Sequence, residues 1–264
     1  MAKALIFDSG VGGFSIFQHI RQSIPGLSSC YLMDNQLFPY GIQPDDVLTE
    51  RIVSLCLQAC QQHDIQIVVI ACNTASTLAL PALREVLSIP VIGVVPAIKT
   101  AASLSNSRDI ALLATPATIN RRYIDDLISE HGQGCNITRI GSSELVELAE
   151  DHWFNDDLDT TALENILAPY LANSTIDQLV LGCTHFPLLS EQIAQLYPEI
   201  NLVDSGEAIA RRISFILQQQ GYDLAALNNT KTHHQLLTSA PIVNKHAFLP
   251  ACQRIAPFES FNII

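Results

Sequence analysis

Two stretches of the chain share one pattern: IVVIACNTAS at 67–76 and LVLGCTHFPLL at 179–189. Each is a run of apolar, mostly β-branched residues that ends in a small residue, a cysteine and a threonine-bearing turn. A lone cysteine in such a place is usually a small core hydrophobe. Here there are two, Cys72 and Cys183, each followed by hydroxyl or amide side chains and by a helix start that favours the thiolate. His185, two residues past Cys183, can hold or relay a proton near neutral pH. A cysteine hydrolase would use one thiol with a histidine and leave the second idle. A redox pair more naturally comes as Cys-x-x-Cys. Two acid/base thiols suit one task best: inversion of a carbon stereocentre, with a proton removed on one face and returned on the other. The four lysines (3, 99, 231, 245) lie in no glycine- or serine-rich setting of a pyridoxal phosphate site. The remaining cysteines (30, 56, 60, 135, 252) have no metal-ligand or disulfide spacing. No cofactor and no metal are expected, and the thiols are expected to be reduced.

Such apolar runs read as buried strands of parallel sheets, whose carboxyl ends are where open α/β folds place their ligand sites. ALIFDSGVGGFS at 4–15 reads as a strand that breaks at Asp8 and Ser9 into a glycine-rich turn, with a helix from Phe14 to Arg21. The glycines do not complete a dinucleotide fingerprint, because Ser15 stands where that pattern wants glycine, and no P-loop lysine follows. CYLMD at 30–34 reads as a strand, followed by a turn that presents Tyr40. Leu48, Ile52, Leu55 and Ala59 space out a buried helical stripe within 44–63, on which Cys56 and Cys60 read as core residues. Thr74 or Ser76 is expected to cap a helix running toward Leu87, and PVIGVV at 90–95 reads as a short strand. From Ala97 the pattern restarts. DIALLATPATI at 109–119 repeats the strand-then-turn logic, with Thr115 where Asp8 stood, 107 residues on; Cys183 follows Cys72 by 111. That near-constant offset predicts two similar α/β halves. Helices are expected over 119–131, 143–153 and 157–172, with Pro187 in the first turn of another. NLVDSGEAIARRISFIL at 201–217 reads as a strand opening the last long helix, and beyond Gly221 irregular chain with a final edge strand is expected.

With 264 residues, 48% of them hydrophobic, the chain can bury a sizeable core. Its net charge of −12 repels phosphate backbones and anionic lipid alike, so a nucleic-acid substrate is not expected. No apolar run approaches the roughly 18 residues of a membrane span, and the opening apolar stretch is too short for a signal peptide. A cytoplasmic protein without membrane association is expected.

The motifs DSGVGG at 8–13, Asp34 to Gly41 ending Pro-Tyr-Gly, ACNTAS at 71–76, GVVP at 93–96, ATPAT at 114–118 and LGCTHFPLL at 181–189 together resemble those of the cofactor-independent glutamate racemases. The resemblance runs from Ala4 to Arg212. It implies two pseudo-symmetric open parallel-sheet domains, residues 1–97 with 208–264 and residues 98–207, with the active site in the cleft between them. It implies interconversion of L- and D-glutamate by two cysteines, supplying D-glutamate for peptidoglycan. Cys72 would take the proton from D-glutamate, assisted by Asp8, and Cys183 the proton from L-glutamate, assisted by His185. Asp8, Ser9, Tyr40, Gly41, Asn73, Thr74, Thr115, Thr118, Thr184 and His185 would contact the substrate. Glu150 aligns with an auxiliary glutamate, although Ser142-Ser143 and Val146-Glu147 depart from the family's pattern around it. A homodimer and a cell-wall precursor acting as activator are further implied. The alternatives are an aspartate racemase of the same fold, disfavoured by His185 where those enzymes usually carry glutamate, and a second role as an acidic interaction protein such as a gyrase inhibitor.

Overall fold

The computed structural model describes residues 2–132, 134–155 and 157–264. The chain divides into two compact units, one formed by the chain up to Val94 together with Gly206–Ile264, the other by Val95–Ser205. In chain order the first unit opens with β1 (Lys3–Asp8), α1 (Phe14–Ser23), β2 (Ser28–Met33), α2 (Asp45–Gln62), β3 (Ile67–Ile70), α3 (Asn73–Val86) and β4 (Val91–Gly93). The second contains α4 (Ile98–Leu104), β5 (Asp109–Ala114), α5 (Pro116–Ile119), α6 (Arg122–His131), β6 (Asn136–Gly141), α7 (Glu144–Asn155), α8 (Thr160–Leu171), β7 (Gln178–Leu181), α9 (Ser190–Leu196) and β8 (Asn201–Val203). The chain then returns to the first unit with α10 (Gly206–Gln219), α11 (Leu224–Asn228), β9 (His234–Thr238), α12 (Lys245–Ile255) and β10 (Phe258–Ile263). Among the described residues, no helix is long and apolar enough to cross a membrane.

The strand order is β10-β9-β2-β1-β3-β4 in the first unit and β6-β5-β7-β8 in the second, and the paired strands run parallel. Four strands of the first sheet, β2-β1-β3-β4, therefore follow the order of the whole second sheet. In both, the chain leaves the central strand to one side and returns on the other, so the topological switch point lies between β1 and β3 and between β5 and β7. That is where open parallel sheets hold ligands. Each sheet needs cover on its faces. Leu5, Phe7, Val68 and Ile70 pack with Leu48, Ile52, Leu55 and Ala59 of α2 and Ala75, Ala79 and Leu83 of α3. The ring of Phe14, from α1, stacks on Tyr31 of β2 with centroids 4.1 Å apart. In the second unit α4 and α6 bring Ile98, Ala101 and Ile124 onto Ile110, Leu112 and Val180.

Registers refine the internal repeat. β1 pairs with β3 from Ala4↔Ile67 to Phe7↔Ile70, and β5 with β7 from Ile110↔Gln178 to Leu113↔Leu181. Cys72 and Cys183 each lie two positions past the last of these pairs, so they occupy equivalent sites. On the other strand of each pair that position is Ser9 and Thr115. The counterpart of Thr115 is thus Ser9 rather than Asp8, because β1 and β5 are both six residues long and both pair from their first residue, Lys3↔Ser28 and Asp109↔Asn136. Asp8 corresponds to Ala114, and the second unit has no carboxylate there.

The tail departs from the sequence reading. β10 is the expected final edge strand, but the chain before it is regular: α11, β9 and α12 fill it, and β9 lies between β2 and β10, so the last third of the first unit completes its sheet. HQLLT gives too short and too polar a run to announce an interior strand. Thr74 and Ser76 do not cap α3 either. The N-cap is Cys72, and Ser76, a turn inside the helix, donates to the Ile70 carbonyl (2.9 Å) and accepts from the Val94 amide (3.0 Å). It thereby pins the end of β3 to the chain leaving β4.

Candidate active site

In the first unit the site is built at the carboxyl ends of β1 and β3. Gly13 lets the start of α1 close over Asp8: a Cβ there would fall 2.6 Å from both Asp8 Cβ and Tyr31 Oη. Asp8 is fully buried and accepts the Gly10 amide at Oδ1, 3.0 Å away. The Tyr31 hydroxyl donates to the Gly10 carbonyl at 2.8 Å, which fixes the far side of the same turn. Ser9 Oγ lies 3.9 Å from Cys72 Sγ. Cys72 stands at the N-terminus of the 14-residue α3, where the helix dipole favours the thiolate form. Asn73 and Thr74, the first two helical residues, are buried beside it. Among the described residues, Asn73 Oδ1 has no hydrogen-bond partner.

Tyr40 follows the short loop after β2. Its phenol is buried and donates to Asp34 Oδ2 at 2.7 Å. Asp34 is fully buried and also receives Arg51, through Nε at 3.2 Å and Nη2 at 3.0 Å, and the Ser239 hydroxyl. Burial first, and then the Asp34 carboxylate, push the Tyr40 phenol far above its ordinary range. The phenol is thus committed to Asp34, and the ring anchors the 3-10 turn Tyr40–Ile42. Arg51 and Ser239, the supports of that anchor, went unread in the sequence. Asp34 closes a strand, a signal that was available; Ser239 lies in the tail, where no pattern pointed to it.

In the second unit the same two strand ends carry Thr115 and Cys183. Gly182 allows the close approach of β7 to β5: a Cβ would lie 2.9 Å from Leu112 Cδ1 and 3.0 Å from the Leu113 carbonyl oxygen. Thr115 caps the short α5, its Oγ1 accepting the Thr118 amide at 3.2 Å and lying 3.0 Å from Thr118 Oγ1. Thr184 and His185 are buried next to Cys183. His185 Nδ1 is 3.8 Å from Cys183 Sγ, and its Nε2 is 2.8 Å from Glu150 Oε1, which α7 supplies. Burial pulls the His185 pKa down, but hydrogen bonds to Cys183 and Glu150 outweigh it, so the imidazole holds its proton well above 6.5.

The structure thus gathers Asp8, Ser9, Cys72, Asn73 and Thr74 in one unit, with the Tyr40–Gly41 turn anchored through Asp34. It gathers Thr115, Thr118, Cys183, Thr184, His185 and Glu150 in the other. Other cysteines are set apart chemically. Burial raises the Cys30 pKa to about 12, that of Cys60 to about 11, and that of Cys56 strongly, so these thiols stay neutral packing groups.

Two parallel-sheet units, each with a cysteine at its switch point, fit an amino-acid racemase, and the comparisons agree. The model of the Asp/Glu/hydantoin racemase family matches residues 14–213, and the chain belongs to that family. Among its relatives, the glutamate racemase of Photorhabdus laumondii is 51% identical over 218 residues, 82% of this chain and 76% of the relative. That of Shewanella pealeana is 47% identical over 239 residues, 90% of this chain and 89% of the relative. The crystal structure of Escherichia coli glutamate racemase, in complex with L-glutamate and the activator UDP-MurNAc-Ala, matches with a TM-score of 0.92 and 41% identity, covering 100% of this chain and 98% of the other. The Bacillus anthracis glutamate racemase isoform RacE1 matches with a TM-score of 0.84 and 28% identity, over 100% of this chain and 97% of its own.

Proposed function

We propose that this protein interconverts L- and D-glutamate by proton transfer between two cysteine bases. The carrying observation is the equivalence of Cys72 and Cys183, each two positions past the last pair of its switch-point strands. In this reading both act on one substrate carbon. Cys72 removes the α-proton of D-glutamate while Cys183 delivers one to the opposite face, and L-glutamate runs the reverse course. Asp8 serves Cys72; His185, itself held by Glu150, serves Cys183. With its proton retained, the imidazolium stabilises a Cys183 thiolate and can return a proton to it once the thiol has been spent.

The substrate's carboxylates would be held by the amides at the start of α3, by the backbone of the Tyr40–Gly41 turn and by the hydroxyls of Ser9, Thr74, Thr115, Thr118 and Thr184. Asn73 Oδ1, a buried acceptor lacking a donor, would take a hydrogen bond from the α-ammonium. Fixed donors around the carboxylate lower the cost of the carbanion-like transition state. We place the enzyme in the cytoplasm as a homodimer supplying D-glutamate for peptidoglycan, with a UDP-linked cell-wall precursor as activator.

The test is incubation of purified protein with L-glutamate and, separately, L-aspartate in deuterated water, with chirality and α-deuterium followed together. The expected result is racemisation of glutamate with one solvent deuteron incorporated per inversion, unaffected by a chelator and abolished by thiol alkylation, against which substrate protects. Inversion that retains the original α-proton would sink the two-base reading, and exclusive turnover of aspartate would sink the substrate.

A further inference from the structure

The first unit contains a cavity that takes no part in the proposed chemistry. It has a volume of about 150 Å³ and lies between the ends of β9 and β10, the helix α12 and the turn that follows β9. Leu236, Phe248, Leu249 and Phe261 form its walls, and Pro241 and Ile242 of the turn close it on one side. No lining residue is charged; Thr238 and Asn262 are the polar ones. The lining is mostly apolar, and the volume matches that of a single six-membered ring.

The turn that closes the cavity is also the one that holds the Tyr40 loop. Ser239 donates to Asp34, whose other oxygen anchors the Tyr40 hydroxyl. One residue on, the Ala240 amide donates to Asn35 Oδ1 at 3.1 Å, and Asn35 Nδ2 returns a hydrogen bond to the Ala240 carbonyl at 3.0 Å. The Gln36 amide donates to Ser239 Oγ at 3.1 Å. Any group that presses on Pro241 and Ile242 therefore acts, within three residues, on the carboxylate that positions Tyr40.

We propose that this cavity binds a small uncharged molecule of about one ring, and that its occupancy is transmitted through Ser239 and Asp34 to the Tyr40–Gly41 turn. The binding half stands on the cavity alone. The transmission half rests on the proposed role of that turn in holding glutamate.

Fluorobenzene is the probe for the full-length protein, followed by fluorine NMR, and iodobenzene soaked into crystals locates the site by its anomalous scattering. Saturable binding in the millimolar range is expected, with iodine between α12 and β10. Leu249→Trp, a substitution at a half-buried wall, is expected to fill the space and abolish binding with racemisation otherwise unchanged. Saturating fluorobenzene is expected to shift KM for glutamate about fivefold or more with a smaller change in kcat, and Ser239→Ala to remove that shift while binding persists. Absence of saturation, or iodine elsewhere, overturns the site; binding that leaves KM unmoved overturns the transmission. A protein that binds fluorobenzene as described but never racemises glutamate retains the site and refutes the proposed function instead.

Discussion

His185 stands between a thiol and a carboxylate, its Nδ1 3.8 Å from Cys183 Sγ and its Nε2 2.8 Å from Glu150 Oε1. Burial alone would strip its proton, and the two hydrogen bonds outweigh burial and raise its pKa well above 6.5. A pKa raised on folding stabilises the protein fully below the unfolded value, and that stabilisation is lost as pH rises through the folded value. Glu150→Gln removes one of the two raising partners. The imidazole of that variant should release its proton at lower pH, and its extra stability should fade at lower pH than in the parent. Ring nitrogen shifts across a pH titration, with melting temperatures on the same samples, check both; an unmoved His185 titration would mean that Glu150 does not support the charge.

The two thiols should behave as one unit. Cys72→Ala and Cys183→Ala should each remove nearly all racemisation, with the double variant little worse than either single one. A single remaining thiol can still take and return a proton on one face. Cys183→Ala is therefore expected to exchange the α-proton of D-glutamate in deuterated water without inverting it, and Cys72→Ala to do the same with L-glutamate. Retention of most racemisation by either variant would make this a one-cysteine enzyme. Both should fold, since a strand-end side chain facing a ligand site leaves little cavity when truncated.

The strand ends and both cysteines were legible because a buried parallel strand is a near-continuous apolar run, and IVVI and LVL announce themselves. β6 was not foreseen: NITRIG is an edge strand with a single buried residue, and its polar residues carry no run. β9 was not foreseen either, because its apolar residues are two leucines among His, Gln and Thr; pairing on both sides, with β2 and β10, makes it interior. Ser29 Oγ lies 2.8 Å from Nδ1 of the buried His234, a contact between β2 and β9 that no local pattern signals. Tyr40 was read correctly as a presented turn, but the destination of its phenol, Asp34, depends on Arg51 and Ser239 from distant parts of the chain. Long-range polar partners of this kind leave no periodicity to read.

Asp8 and His185 should be separable by direction. The equilibrium between enantiomers fixes the ratio of kcat/KM for the two directions, so any substitution lowers both values of kcat/KM equally. The individual parameters are free to differ. Asp8→Asn is expected to reduce kcat more with D-glutamate, and His185→Asn more with L-glutamate, each by about 10²–10⁴-fold where the group acts as the proton-transfer partner. Progress curves from each pure enantiomer followed by circular dichroism provide the measurement. Equal losses of kcat in both directions for both variants would remove the assignment of separate roles.

Gly182 tests whether the switch-point geometry itself sets the position of Cys183. A Cβ there would lie 2.9 Å from Leu112 Cδ1, 3.0 Å from the Leu113 carbonyl oxygen and 3.2 Å from Ala114 Cβ. The leucine tip can move, but the carbonyl belongs to the β5 backbone, which the neighbouring strands hold, so β7 must shift instead. Overpacking of this sort costs about 1–3 kcal/mol, and the shift falls on the residue that precedes Cys183. Gly182→Ala should therefore lower the melting temperature and reduce racemisation together. Gly141→Ala, at the end of β6, is the control, because there the nearest atoms lie 3.6–3.8 Å from the added Cβ, ordinary contact distance. It should leave stability and turnover near those of the parent. A Gly182→Ala protein that matched Gly141→Ala in both measurements would show that the close approach of β7 to β5 does not position Cys183.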